Sequence, residues 1–251
     1  MHSNAIDLKD FYDSSQGRVV QRVLRQRLRQ FWPDVKGCRV LGMGYAVPFL
    51  RPLMGEAERV LALMSSRQGP VFWPPEEKNL VALCDEKEWP IETNSIDRLF
   101  VVHGIPGYES LDSVLRESWR VLTGQGRLLL IVPNRTGVWA RLDSTPFGHG
   151  APYSQGQIRQ SLRQYMFVPE RAERALFVPP FASRLMLATA PLWEKLGQRF
   201  FNAFGGVNMV EASKQLYAGT PLPVSEAAAQ LVRRRQIVMP TQRTGIEGDM
   251  S

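Results

Sequence analysis

The sequence predicts a doubly wound α/β fold built on a mostly parallel sheet of seven strands. Three observations carry this. Short apolar runs recur along the chain, nearly continuous rather than alternating, as in strands covered on both faces. They are separated by stretches with helical periodicity, and strand–helix–strand order gives a parallel sheet. The first run empties into a glycine turn, the place where such sheets bind ligands.

The elements follow in order. A helix is expected to start near Ser15, with Val20, Leu24, Leu28 and Phe31 on one face. Trp32-Pro33 should close it, because the residue before a proline is pushed out of the helical region. Cys38 to Gly44 reads as the first strand and its turn, Arg59–Met64 as the second, Leu80–Cys84 as the third and Arg98–Val102 as the fourth. Leu111, Val114, Leu115 and Leu122 mark an amphipathic helix, expected to end at Thr123–Gly126 with glycine as a left-handed cap. Arg127–Val132 is the fifth strand.

Gly137–Pro152 reads as a long loop. Ser154 and Gln157 form a capping box for a helix using Ile158, Leu162 and Tyr165. Glu173–Val178 is expected as a sixth strand, and Arg184–Phe201 as a helix kinked or divided at Pro191. Gly206–Tyr217 is the expected final strand. The organisation expected is an N-terminal helical segment (1–36), an α/β domain (37–218) and a largely disordered tail (219–251) with one short helix around Glu226–Arg235.

Composition narrows the function classes. The start of the chain has no charged-then-apolar leader, and no apolar run approaches the ~20 residues that span a bilayer. Two cysteines, Cys38 and Cys84, read as buried free thiols, so a cytoplasmic protein is expected. Three histidines supply no metal-ligand spacing. The formal charge is +7, concentrated in Arg18, Arg22, Arg25, Arg27 and Arg29 of the first helix and in Arg233–Arg235. Such a balance favours an acidic partner such as nucleic acid (RNA), anionic lipid or an acidic protein, against the plainer reading of a solvated cationic face.

The order of several motifs resembles the class I S-adenosylmethionine-dependent methyltransferase superfamily, in particular its type 11 group. Val40–Ala46 stands at the glycine-rich first motif. Cys84–Pro90 is similar to the aspartate segment after strand three, Asn94–Asp97 to the acidic turn before strand four, and Leu115–Leu122 with Thr123–Leu128 to the helix and strand five. The resemblance implies a Rossmann-like sheet whose last strand is antiparallel, S-adenosylmethionine as cofactor, and a methyl acceptor of unspecified kind.

The resemblance also implies site residues. Gly42, Met43, Gly44, Tyr45, Ala46, Met64, Ser65, Asp85, Glu86 and His103 stand at cofactor-binding positions, Asp85 toward the adenine amino group. His103, His149 and Tyr153 are the catalytic or substrate-side candidates. His103 has two open roles, general base or pocket lining. Phe11-Tyr12 also has two, closing over the cofactor or stapling the first helix. The glycines flanking His149 suggest a lid.

Two departures stand out. Gly42 and Met64 occupy places where the superfamily carries acids, and the second acid there accepts bonds from the ribose hydroxyls. Ala46 and Pro48 replace glycines, and Pro48 offers no N–H. These departures leave open a non-catalytic member acting as a binding partner or scaffold. A nicotinamide-dependent dehydrogenase fits less well, because the turn is no G-x-G-x-x-G. No Pro-Cys or Asn-Pro-Pro-Tyr sequence is present, which disfavours covalent cytosine chemistry and amide methylation.

Overall fold

The computed structural model describes residues 4–180, 187 and 189–216. Residues 1–216 form one compact unit and residues 217–251 a second. The second unit lies outside the described residues, and with it the expected tail, its short helix and the Arg233–Arg235 run.

Within the first unit the strands are β1 (Arg39–Gly44), β2 (Arg59–Ser65), β3 (Val81–Cys84), β4 (Ile96–Val102), β5 (Leu122–Pro133), β6 (Phe167–Ala175) and β7 (Val207–Lys214). They form one sheet in the order β3-β2-β1-β4-β5-β7-β6. Strands β1 to β5 pair in parallel, and β7 is antiparallel to both β5 and β6. The expected architecture is therefore the observed one. The direction of winding reverses between β1 and β4, where Gly44 faces Val102 across the ladder.

Helices α1 (Ala5–Asp13), α2 (Ser15–Phe31), α3 (Val47–Leu50), α4 (Tyr108–Val121), α5 (Gln155–Gln164) and α6 (Ala190–Phe200) accompany the sheet. Consecutive strand residues face opposite sides. Val40, Phe100 and Leu129 join the core under α1, α2 and α3, whereas Leu41, Leu99 and Leu130 join the core under α4 and α5. Both faces are buried, which is why the strands read as unbroken apolar runs. Among the described residues no helix is long and apolar enough to cross a membrane, and none of their side chains cluster as a metal site.

Several local expectations are corrected. A helix, α1, precedes the one expected at Ser15. Ser14 is extended between them and serves both: its N–H caps α1 at the carbonyls of Asp10 and Phe11, and its hydroxyl accepts the Gly17 N–H at 3.0 Å. One residue that ends a helix and starts the next leaves little trace in apolar periodicity. The stretch expected to hold a left-handed cap is strand instead. Helix α4 stops at Val121, Leu122 is already extended, and β5 runs through Thr123–Gly126.

Strand β6 begins at Phe167, six residues before the expected start. Its sequence is charged and contains Pro169, which is tolerated because β6 is an edge strand with a register shift between Pro169 and Arg171. Pro191 lies in the first turn of α6 and opens the helix rather than kinking it. Residues 184–186 and 188 of the expected helix lie outside the described residues.

Candidate functional site

The carboxyl ends of β1 to β5 share one rim, and the residues singled out in the sequence divide into two groups there. The glycine turn is the closed group. Gly44 has φ of 83°, a backbone state that side chains rarely adopt, and a Cβ on it would lie 2.2 Å from the Val102 carbonyl oxygen. Gly42 is equally confined: a Cβ there would lie 2.4 Å from that of Ala46. The acid expected at position 42 has no room. Met43, Tyr45 and Ala46 are all buried, and burial pushes the Tyr45 hydroxyl up to about 12.

The second group lines a narrow hollow open to solvent at the rim. Ser65 from the end of β2, Glu86 from the loop after β3, and His103 and Gly104 from the end of β4 form its polar side, with Gln68 beside them. Ile131 and Phe147 contribute to the apolar side. Met64 is fully buried in the core beneath, so only its neighbour Ser65 reaches the hollow.

A carboxylate is nevertheless present at the tip of β2. Glu86 accepts from the Ser65 hydroxyl at 3.1 Å and from the Ser110 hydroxyl at 3.0 Å, one bond on each oxygen. Asp85 behaves differently: it is exposed and accepts the Lys87 N–H at 2.8 Å within its own loop. Ser65, Asp85 and Glu86 also border a polar depression next to the hollow.

Helix α1 straps the rim. The Ala5 N–H donates to the Gln68 carbonyl at 2.7 Å, and the Gln68 amide donates to the His103 carbonyl at 2.6 Å. Tyr12 stacks on Tyr45 at 5.7 Å between centroids and meets His103 Nε2 at 2.7 Å. Phe11 touches Phe147 edge-on. Tyr12 thus packs over the glycine turn and Phe11 against the loop after β5. His103 has φ of 52°, and burial pulls its imidazole down to about 3. It is neutral near pH 7 and a weak base, which disfavours proton abstraction and leaves lining and hydrogen bonding.

His149 is half-buried and lines the hollow. Its loop is pinned by buried Trp139 and Phe147 and by turn bonds from Thr145 and Gly148. Tyr153 lies away from the hollow lining: it is buried, its ring meets Tyr108, and its hydroxyl has no partner. Cys38 and Cys84 are free thiols, and burial pushes Cys84 up to about 12, which disfavours its thiolate.

The cationic helix α2 is largely spent on its own chain. Arg18 bonds the Asp13 carbonyl, Arg25 the Pro48 carbonyl and Arg29 both Glu56 and the Pro52 carbonyl; Arg27 lies near Glu173 and Glu194. Sequence reasoning missed Gln68 and Ser110, which follow no motif and come together only through the fold.

The donor set can be tested against S-adenosylmethionine. Its nucleoside half fits the polar side, where a carboxylate, a serine and the unpartnered buried Gln68 Oε1 are suited to ribose hydroxyls and a base edge. Its amino-acid half meets a turn already covered by Tyr12. Binding at the glycine turn therefore requires α1 to shift.

No family profile matches the chain, and no curated protein matches it. Solved structures do. An S-adenosylmethionine-dependent methyltransferase of Thermotoga maritima aligns with a TM-score of 0.60 at 13% identity, over 84% of this chain and 96% of that one. A second, from Archaeoglobus fulgidus, gives 0.55 at 18% identity over 77% and 94%. The [4+2]-cyclase SpnF gives 0.51 at 18% identity over 78% and 81%, so one scaffold hosts different reactions. Strand order, the antiparallel β7 and these likenesses agree that the chain carries the fold of the class I S-adenosylmethionine-dependent methyltransferases.

Proposed function

We propose that the chain is an S-adenosylmethionine-dependent methyltransferase whose cofactor enters the hollow with its nucleoside toward Ser65, Gln68 and Glu86. The observation that carries this is the Glu86 carboxylate held at the tip of β2 by two serine hydroxyls. An ionised carboxylate only accepts hydrogen bonds, and its free lone pairs suit a pair of vicinal hydroxyls. Gly44 and His103 lie toward the amino-acid end, Asp85 at the outer edge.

The cofactor supplies the methyl group on a sulfonium sulfur. The chain's residues bind and orient, which suffices for an acceptor that is already nucleophilic. Ile131, Phe147 and the His103 ring keep that region dry, and His149 faces the acceptor from the loop after β5. The free thiols fit a cytoplasmic setting.

A second reading has its own observation. Tyr12 covers the glycine turn and bonds His103, as expected of a member that no longer takes the whole cofactor and acts as a binding partner. Titration calorimetry with S-adenosylhomocysteine separates the two. Saturable binding that Glu86→Gln weakens about tenfold or more supports the transferase. Absence of heat with a folded protein supports the second reading.

A further inference from the structure

Among the described residues, helix α6 and the 3-10 turn after it (Asn202–Phe204) carry an apolar face that stands exposed. The buried side of α6 is fixed. Glu194 accepts the Phe177 N–H at 2.7 Å and lies 3.6 Å from the Arg27 guanidinium, and Gly197 packs so closely on Phe177 that a Cβ would sit 2.3 Å from the ring. The opposite side is therefore held outward. Leu192, Leu196 and Phe200 recur every fourth residue on it, joined by Trp193, Phe201 and Phe204. Phe200, Phe201 and Phe204 stand 60–65% exposed, although large apolar side chains seldom cluster in water.

Charge selects the occupant. The exposed ionisable residues of α6 are Lys195 and Arg199, both cationic and both beside the apolar face, while its one acid, Glu194, is turned inward. Trp, Phe and Leu on one side and Lys and Arg at its border make the pattern of a helix that lies in a lipid interface. The geometry points to α6 and its following turn as a docking surface for an anionic lipid bilayer. The surface adjoins the hollow's rim: Asn134, next to hollow-lining Pro133, donates to the carbonyls of Ala203 and Gly205.

Co-sedimentation of the full chain with vesicles tests this. Vesicles of phosphatidylcholine with phosphatidylglycerol should bind the chain, and phosphatidylcholine alone should bind it several-fold less. Phe200→Ser with Phe204→Ser should lower partitioning roughly tenfold or more without lowering the melting temperature, since both rings are exposed. Lys195→Glu with Arg199→Glu should remove the preference for phosphatidylglycerol. Four outcomes overturn the proposal: no vesicle binding; binding indifferent to the Phe changes; binding lost only when Arg233–Arg235 are neutralised; or a dimer in gel filtration that the Phe changes dissociate while vesicles leave the chain in the supernatant.

Discussion

Restoring the superfamily's acid at position 42 should break the fold rather than improve the site. The cause is testable without any charge. A Cβ on Gly42 would lie 2.4 Å from Ala46 Cβ and 3.1 Å from Leu50 Cδ1, where carbons normally stand about 3.5–4.0 Å apart. Leu50 can turn aside; Ala46 cannot, because its Cβ is fixed by a backbone at φ −90° and ψ −18°. Gly42→Ala should therefore cost about 1–3 kcal/mol, the usual range for overpacking. Ala46→Gly alone removes one buried methyl and loosens the unfolded chain, about 1–2 kcal/mol. Combined, the two changes move a methyl from one side of the contact to the other, so the double variant should recover about 1–2 kcal/mol against the sum. Urea unfolding at unchanged slope reads all four proteins. Additive effects, or a Gly42→Ala protein as stable as the parent, would refute the steric account of the missing acid.

Three further outcomes are expected. The folded His103 sits near 3 while an unfolded histidine titrates near 6.5, so between these values the unfolded state binds the extra proton; stability falls with acidification below about pH 6.5, by up to about 1.4 kcal/mol per unit from this group, and urea midpoints across pH should show that slope flattened in His103→Asn. Burial pushes Asp97 up, but bonds from the Arg39 guanidinium and N–H and the Thr123 hydroxyl outweigh it and hold the carboxyl below its usual range; Asp97→Asn should cost about 1–3 kcal/mol at pH 7 in denaturant melts, with the gap closing as pH falls below about 4 through the lowered value. Ser65→Asp should set a second carboxylate against Glu86 and weaken S-adenosylhomocysteine binding in calorimetry, and adding Glu86→Gln should restore it; a double variant that binds no better than Ser65→Asp alone refutes the repulsion between the two carboxylates.

Much of the sheet was legible because burial on both faces leaves an unambiguous sequence mark. Leu128, Leu129 and Leu130 must be covered on both sides, and they are. The capping box at Ser154 is present as read, since its two bonds are local. The misreadings share a cause in contacts distant in sequence. Strand β6 is charged along its length and is held by pairing with β7, from Phe167 opposite Lys214 to Ala175 opposite Val207. Tyr153, a substrate-side candidate from the resemblance, has its ring in the core with Ile158 and Leu162. Asp85 and Glu86 are adjacent in sequence and differ in space by what faces them: a loop N–H for one, two serine hydroxyls for the other.

The altered β2 tip is best understood through the ladder beside it. Strands β2 and β3 run in parallel with Ser65 opposite Cys84, so a residue just past Cys84 is delivered next to Ser65. Glu86 is such a residue. A carboxylate missing from one strand end can thus be supplied by the next loop. Ser110, from the first turn of α4, completes the arrangement from a third element and holds the second carboxylate oxygen. The missing acid at Met64 and the filled space at Gly42 are then different kinds of change. The first leaves the charge in place by another route, and the second, with Tyr12 packed over the turn, removes room that the amino-acid half of a cofactor would use.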